Sequence, residues 1–293
     1  MLRIALFLGT NIAILVVLSI SMSIFGLEGV LDERGVDLNL NSLLLISSII
    51  GFSGSFISLA ISKWLAIKTM GVVIITNPKN DTESWLLSTI SSISGKAKIK
   101  TPEFGIFNSK QLNAFATGRS KNNSLVALSS GLINHMSRDE VEAVIAHEIS
   151  HISNGDMVTM TLIQGIINTF VIFFSRVIGH LVDRIIFKVQ RGHGPANHIT
   201  SIIAQIVLSI LASIIVMWFS RKREFEADSS AAKFVGTSKM ISALKTLSVK
   251  SSSSLPDQMA AFGISGKKEN SYRRLFSSHP SIESRIESLL RKS

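Results

Sequence analysis

The 293-residue chain contains no cysteine. Disulfides and thiolate metal ligands are therefore excluded, and the absence suits a reducing compartment. The chain also lacks a nucleotide-binding motif, an internal repeat and any long disordered tract. Acidic residues are in deficit, 20 against 30 basic ones, for a net charge of +10. That charge does not mark a nucleic-acid protein. The basic residues are dispersed, no nucleic-acid-binding motif accompanies them, and several (Lys63, Lys68, Arg221, Lys222, Arg223) flank apolar segments where anionic headgroups lie.

Apolar residues make up 46% of the chain, and they are clumped. Residues 4–25 and 43–62 carry no charge and are long enough to cross a bilayer, as are 201–219; residues 157–175 are less apolar, with Gln164 and Asn168 inside. About four transmembrane helices are expected. The first is read as an anchor, because its apolar run exceeds a signal-peptide core and no Ala-x-Ala-like cleavage site follows. The 26–42 segment is net −3, residues 63–146 are net +4 and residues 221–293 net +7. The positive-inside rule then puts both large segments in the cytoplasm. The 183–199 loop resists this scheme, with Arg184, Lys188 and Arg191 against Asp183. The expected organisation is a two-helix anchor (1–62), a first catalytic segment (63–156), a membrane hairpin (157–220) and a second catalytic segment (221–293).

The chemistry is concentrated at His147-Glu148-Ile149-Ser150-His151. Two histidines four apart on a helix share one face, so both imidazoles can reach one tetrahedral Zn²⁺. Glu148 is too close to the first ligand to be a comfortable third one, but is placed to take a proton from the attacking water. A helix here is expected to start at about Arg138. Ser137 and Glu140 form a capping box, Met136 and Val141 a hydrophobic staple, and Val141, Val144, Ile145, Ile149 and Ile152 a buried stripe. A third histidine six residues beyond His151 is not available, since Asn154 and Met157 stand where such a motif needs Gly and His. Downstream, Glu224 and Asp228 lie one helical turn apart. Glu224 can ligate while Asp228 accepts the free ring N–H of a ligand histidine; Glu226 is the weaker candidate.

These stretches, HEISHISNGDMVTM from His147, REFEADSSAA from Arg223 and NAFA at Asn113–Ala116, resemble the HtpX family of membrane-embedded zinc endopeptidases, which is related to the CAAX prenyl proteases. The resemblance covers essentially the whole chain. It implies one Zn²⁺ held by His147, His151 and Glu224, with Glu148 as general base and Asp228 behind a ligand histidine. It further implies that Asn113, Ala114, Phe115 and Ala116 form an edge strand that binds extended peptide, and that His279 steadies the oxyanion with Arg285 as its charged companion. Pro280 is expected in the first turn of a final helix. Between the spans, residues 72–76, 98–108, 112–117 and 124–129 suggest strands and 81–94 a helix.

The fold class expected is α+β: a mainly helical integral membrane protein with a cytoplasmic zincin-like domain carrying a small sheet. The function expected is ATP-independent, zinc-dependent cleavage of misfolded or damaged membrane proteins at the bacterial inner membrane. Expected partners are those membrane-protein or unfolded polypeptide substrates and the bilayer, with no nucleic acid; the sequence is silent on oligomeric state. A CAAX-type prenyl-protein protease, or a catalytically silent scaffold that binds zinc, are the alternatives.

Overall fold

The computed structural model describes residues 40–189, 194–251 and 277–292. The expected first span at 4–25 and the acidic loop before residue 40 lie outside them, as do a polar loop expected at 263–271 and most of another expected at 250–256, whose first two residues instead end a helix. The described elements are α1 (Leu40–Met70), β1 (Val73–Ile74), α2 (Asp81–Lys96), β2 (Glu103–Phe107), β3 (Ala114–Ser120), β4 (Asn123–Ser129), α3 (Ser130–His135), α4 (Arg138–Asn154), α5 (Asp156–Ile185), α6 (Pro195–Val235), α7 (Thr237–Ser251) and α8 (Ile282–Lys292). The architecture is mainly helical with one small mixed sheet, and three of its helices are long and apolar enough to cross a membrane. The described residues fall into two compact units. One holds those up to Ser58 and Met160–Trp218; the other holds Leu59–Thr159 and those from Phe219 onward.

In the first unit, parts of α1, α5 and α6 meet through small and polar residues. A Cβ on Gly51 would come within 2.6 Å of the Thr169 backbone nitrogen, and one on Gly165 within 2.6 Å of the Phe52 ring. Asn168 donates from Nδ2 to Ser55 Oγ at 3.3 Å and accepts from Gln164 Nε2 at 2.8 Å. Lipid offers apolar helices no hydrophobic reason to associate, so close backbone approach and interhelical hydrogen bonds hold them instead. The apolar side chains Ile199, Ile203, Ile206, Ile210 and Trp218 of α6 face outward. Gly51→Ala is therefore expected to lower the stability of the detergent-solubilised protein by about 1–3 kcal/mol. Gly95→Ala, where a Cβ meets nothing within 4 Å, is the control, expected to leave it unchanged or slightly raised. Paired thermal melts read the difference.

In the second unit the strand order is β1-β2-β4-β3, with β2 and β4 parallel and the other pairs antiparallel. Side chains alternate along a strand. Val126 and Leu128 of β4 enter the main core with α2, α4 and α7, while Leu125 and Ala127 enter a second core with Phe107, Phe115 and the end of α1. This two-sided burial is why β4 reads as an unbroken apolar run. The expected strand at 72–76 is a strand only at Val73 and Ile74, with Ile75 N donating once more to Phe104 O at 2.9 Å, and that at 98–108 is a strand only over Glu103–Phe107. A bulge interrupts β3 between Gly118 and Ser120, just before the turn at 121–122 that leads into β4.

The capping box is present: Ser137 Oγ accepts from Glu140 N, and Glu140 Oε2 accepts from Ser137 N at 2.9 Å. The Glu140 carboxylate also accepts from Ser242 at 2.9 Å and Thr246 at 2.5 Å, tying α7 to the start of α4. Burial acts against ionisation of Glu140, yet these donors and the Ser137 backbone hold its carboxyl below the usual range. Pro280 does not sit in the first turn of the last helix. That helix begins at Ile282, and Ser281 Oγ takes the start by accepting from Ser284 N at 3.3 Å, which leaves Pro280 outside.

Candidate metal centre

Helix α4 is stopped by Gly155, whose φ of 74° is the left-handed conformation that glycine adopts without penalty. The pentad sits on its last turns, with His147 buried and Glu148 half-buried. Helix α6 runs without a break from its apolar stretch into Glu224 and Asp228, both buried, while Glu226 is exposed. His147 Nε2 lies 3.2 Å from His151 Nε2 and 3.5 Å from Glu224 Oε2, and His151 Nε2 lies 3.3 Å from Glu224 Oε1. The three groups could hold one metal ion, and no other such group occurs among the described residues.

These distances bear on whether a metal fits. Ligand atoms on arms of about 2.0–2.1 Å, arranged tetrahedrally, lie about 3.3 Å apart. Glu224 Oε2 is buried and makes no hydrogen bond of good geometry, although His147, His279 and Arg285 approach it within 3.5 Å. An anionic oxygen without a hydrogen bond beside two convergent imidazole nitrogens is a place for a cation. Burial alone would lower the basicity of both histidines. For His147 the Asp228 and Glu224 carboxylates outweigh it and raise the pKa. For His151, Asp156 and Glu224 push it up to about 10. A metal takes the neutral imidazoles, so its uptake is linked to proton release.

The remaining ring nitrogens are anchored. Asp228 Oδ1 is 2.9 Å from His147 Nδ1, and Asp156 Oδ2 is 2.6 Å from His151 Nδ1. Asp228 is held in turn by Arg285, through Nε at 2.7 Å and Nη2 at 2.6 Å. Arg285 is buried, and although burial works against its charge, Asp228 raises its pKa. His279, from the segment before α8, points its Nδ1 at Glu224 Oε2 at 2.8 Å with a side chain 61% exposed. Arg285 therefore backs the ligand set through Asp228, with no contact to His279 among the described interactions. Helix α4 is also gripped at its C-terminal end, where Lys121 Nζ donates to Ser153 O at 2.5 Å.

The sequence-expected residues His147, Glu148, His151, Glu224, Asp228, His279 and Arg285 thus share one region. Asn113–Ala116 lies apart in sequence, yet β3 is the outer strand of the sheet and packs against α4. Asp156 was missed. Its signal was the Gly-Asp pair directly after the pentad helix: the glycine reverses the chain and returns the aspartate to His151.

Buried carboxylates, convergent imidazoles and apolar helices of spanning length together define a membrane metallopeptidase. The profile of peptidase family M48 matches residues 80–293, and the chain belongs to that family. It is 59% identical over 288 residues to "Protease HtpX" of Thioalkalivibrio sulfidiphilus, covering 98% of each chain. It is 57% identical over 290 residues to "Protease HtpX" of Pseudoalteromonas atlantica, covering 99% of each. The fold is that of S. mikatae Ste24p, with a TM-score of 0.65 at 19% identity over 96% of this chain and 66% of that one.

Proposed function

We propose that the chain is a zinc-dependent, ATP-independent endopeptidase of the bacterial inner membrane. It acts from the cytoplasmic side on misfolded or damaged membrane proteins. The convergence of His147, His151 and Glu224 carries this reading. A site of two histidines and one glutamate, with no cysteine in the chain, suits catalytic zinc. When bound, the metal supplies Lewis acidity toward water and the scissile carbonyl. Glu148 takes the proton of the attacking water and delivers it to the leaving amine. His279 donates to the developing oxyanion. The basic balance of 63–146 and 221–293 supports the cytoplasmic orientation.

Substrate backbone adds to β3. Asn113 O accepts from Ser129 N at 2.8 Å, which sets the ladder phase. Phe115 opposite Ala127 is then the next pair bonded to β4, and the backbone groups of Ala114 and Ala116 point to the outer edge. The Phe115 side chain is buried against Phe107. An extended peptide would therefore meet the main chain of Ala116 on this edge, a sequence-tolerant mode that suits quality control. The donor set of two histidines and one glutamate, with Glu148 beside it, favours this reading over a scaffold. No described feature calls for a prenylated substrate.

Purified, detergent-solubilised protein is expected to cleave casein without added nucleotide and to lose that cleavage on chelation, with recovery on adding back Zn²⁺. Cleavage that persists after complete metal removal would overturn the assignment.

A further inference from the structure

The two ligand histidines are held by different devices. His147 rests on Asp228, which Arg285 clamps through two nitrogens. His151 rests on Asp156 at 2.6 Å, and Asp156 is met by Arg223, whose Nη1 donates to the Asp156 backbone oxygen at 3.2 Å and lies 3.6 Å from Oδ2. Asp156 is buried, and the Arg223 Nε is buried with no hydrogen-bond partner among the described residues. An arginine held there with an unused donor is there for its charge. Asp156 opens α5, and Arg223 lies on α6 one residue before Glu224. The roots of two membrane-length helices thus meet at one ligand.

We propose that Asp156 is a positioning residue for the metal ligand His151 and that Arg223 holds Asp156 in place. Each ligand histidine is then oriented by its own Asp–Arg pair. The inference rests on the reading of His147, His151 and Glu224 as the metal site. A carboxylate on Nδ1 fixes the tautomer that presents Nε2, stops the ring turning and makes it a better donor. Asp156 also begins a helix, so a helix-start role must be separated from this one. Asparagine keeps the shape of aspartate and gives up only its modest gain from the helix dipole in the first turn, but it carries no charge to lend to the imidazole. A residue that only starts α5 would tolerate that exchange without effect on metal.

The test is zinc affinity, read by competition with a chromophoric chelator on full-length protein in detergent, together with the visible spectrum of the cobalt-substituted form. Asp156→Asn is expected to weaken zinc binding roughly 10- to 100-fold and to change the cobalt spectrum, with Asp156→Ala weaker still. Arg223→Gln, which keeps the Asp156 carboxylate but removes the charge that holds it, is expected to weaken it by a smaller factor, and it decides the matter if the Asp156 variants do not fold. Wild-type affinity in folded Asp156→Asn, or in Arg223→Gln when that variant must decide, would overturn the proposal while leaving the metal site standing. A wild-type protein that binds no zinc would overturn the reading of the site itself, and this inference with it.

Discussion

Glu148→Gln is expected to abolish peptide cleavage while leaving metal content unchanged. General-base assistance contributes about 10²- to 10⁴-fold to such reactions, and the amide cannot accept the proton. Glu148 is half-buried one residue after His147, and its carboxylate is not among the three convergent ligand groups. The substitution conserves shape and removes no ligand, so zinc should remain at the wild-type level. Single-turnover cleavage of a fluorogenic peptide, beside metal analysis of the same preparation, reads both quantities. A variant that loses metal as well would show that Glu148 belongs to the ligand set. A variant that cleaves normally would move the proton transfer to another group.

Arg285→Met is expected to have the largest effect on stability. Arg285 and Asp228 are both buried and joined by two short hydrogen bonds. Removing the arginine strands a carboxylate in a low-dielectric interior, which costs roughly 3–5 kcal/mol. A fall in the thermal midpoint on the order of 10 °C follows for a protein of this size. The double variant Arg285→Met with Asp228→Asn removes the stranded charge and should recover much of the stability. It should not recover zinc affinity, because His147 has then lost its carboxylate. Thermal melts and chelator competition on the single and double variants separate the two losses. Equal midpoints for wild type and Arg285→Met would mean that the pair is not buried as described.

Much of this site could be read along the chain because its groups obey helical spacing. His147 and His151 are one turn apart, and so are Glu224 and Asp228, which puts each pair on one helix face before any tertiary structure is known. The capping box at Ser137 was legible for the same local reason. The grouping of the apolar runs also showed the long helices, three of which lie among the described residues. What escaped depends on chain reversal or on distant contacts. Asp156 reaches His151 only because Gly155 turns the chain. Arg285 meets Asp228 across 57 positions, so its clamp on that carboxylate had no sequence signal. The strand expected at 72–76 is longer than β1, since four apolar residues in a row suggest a strand and not how many of its residues pair. Pro280 was placed inside the helix on a positional preference that the Ser281 hydroxyl overrides.

X-ray absorption at the zinc edge of the wild-type protein, purified in detergent without chelator, reads the ligand set itself. About one zinc per chain is expected, in a four-coordinate shell of nitrogen and oxygen at about 2.0–2.1 Å, with imidazole outer-shell scattering from two histidines. A six-coordinate all-oxygen shell, or protein that takes up no zinc, would contradict that ligand set.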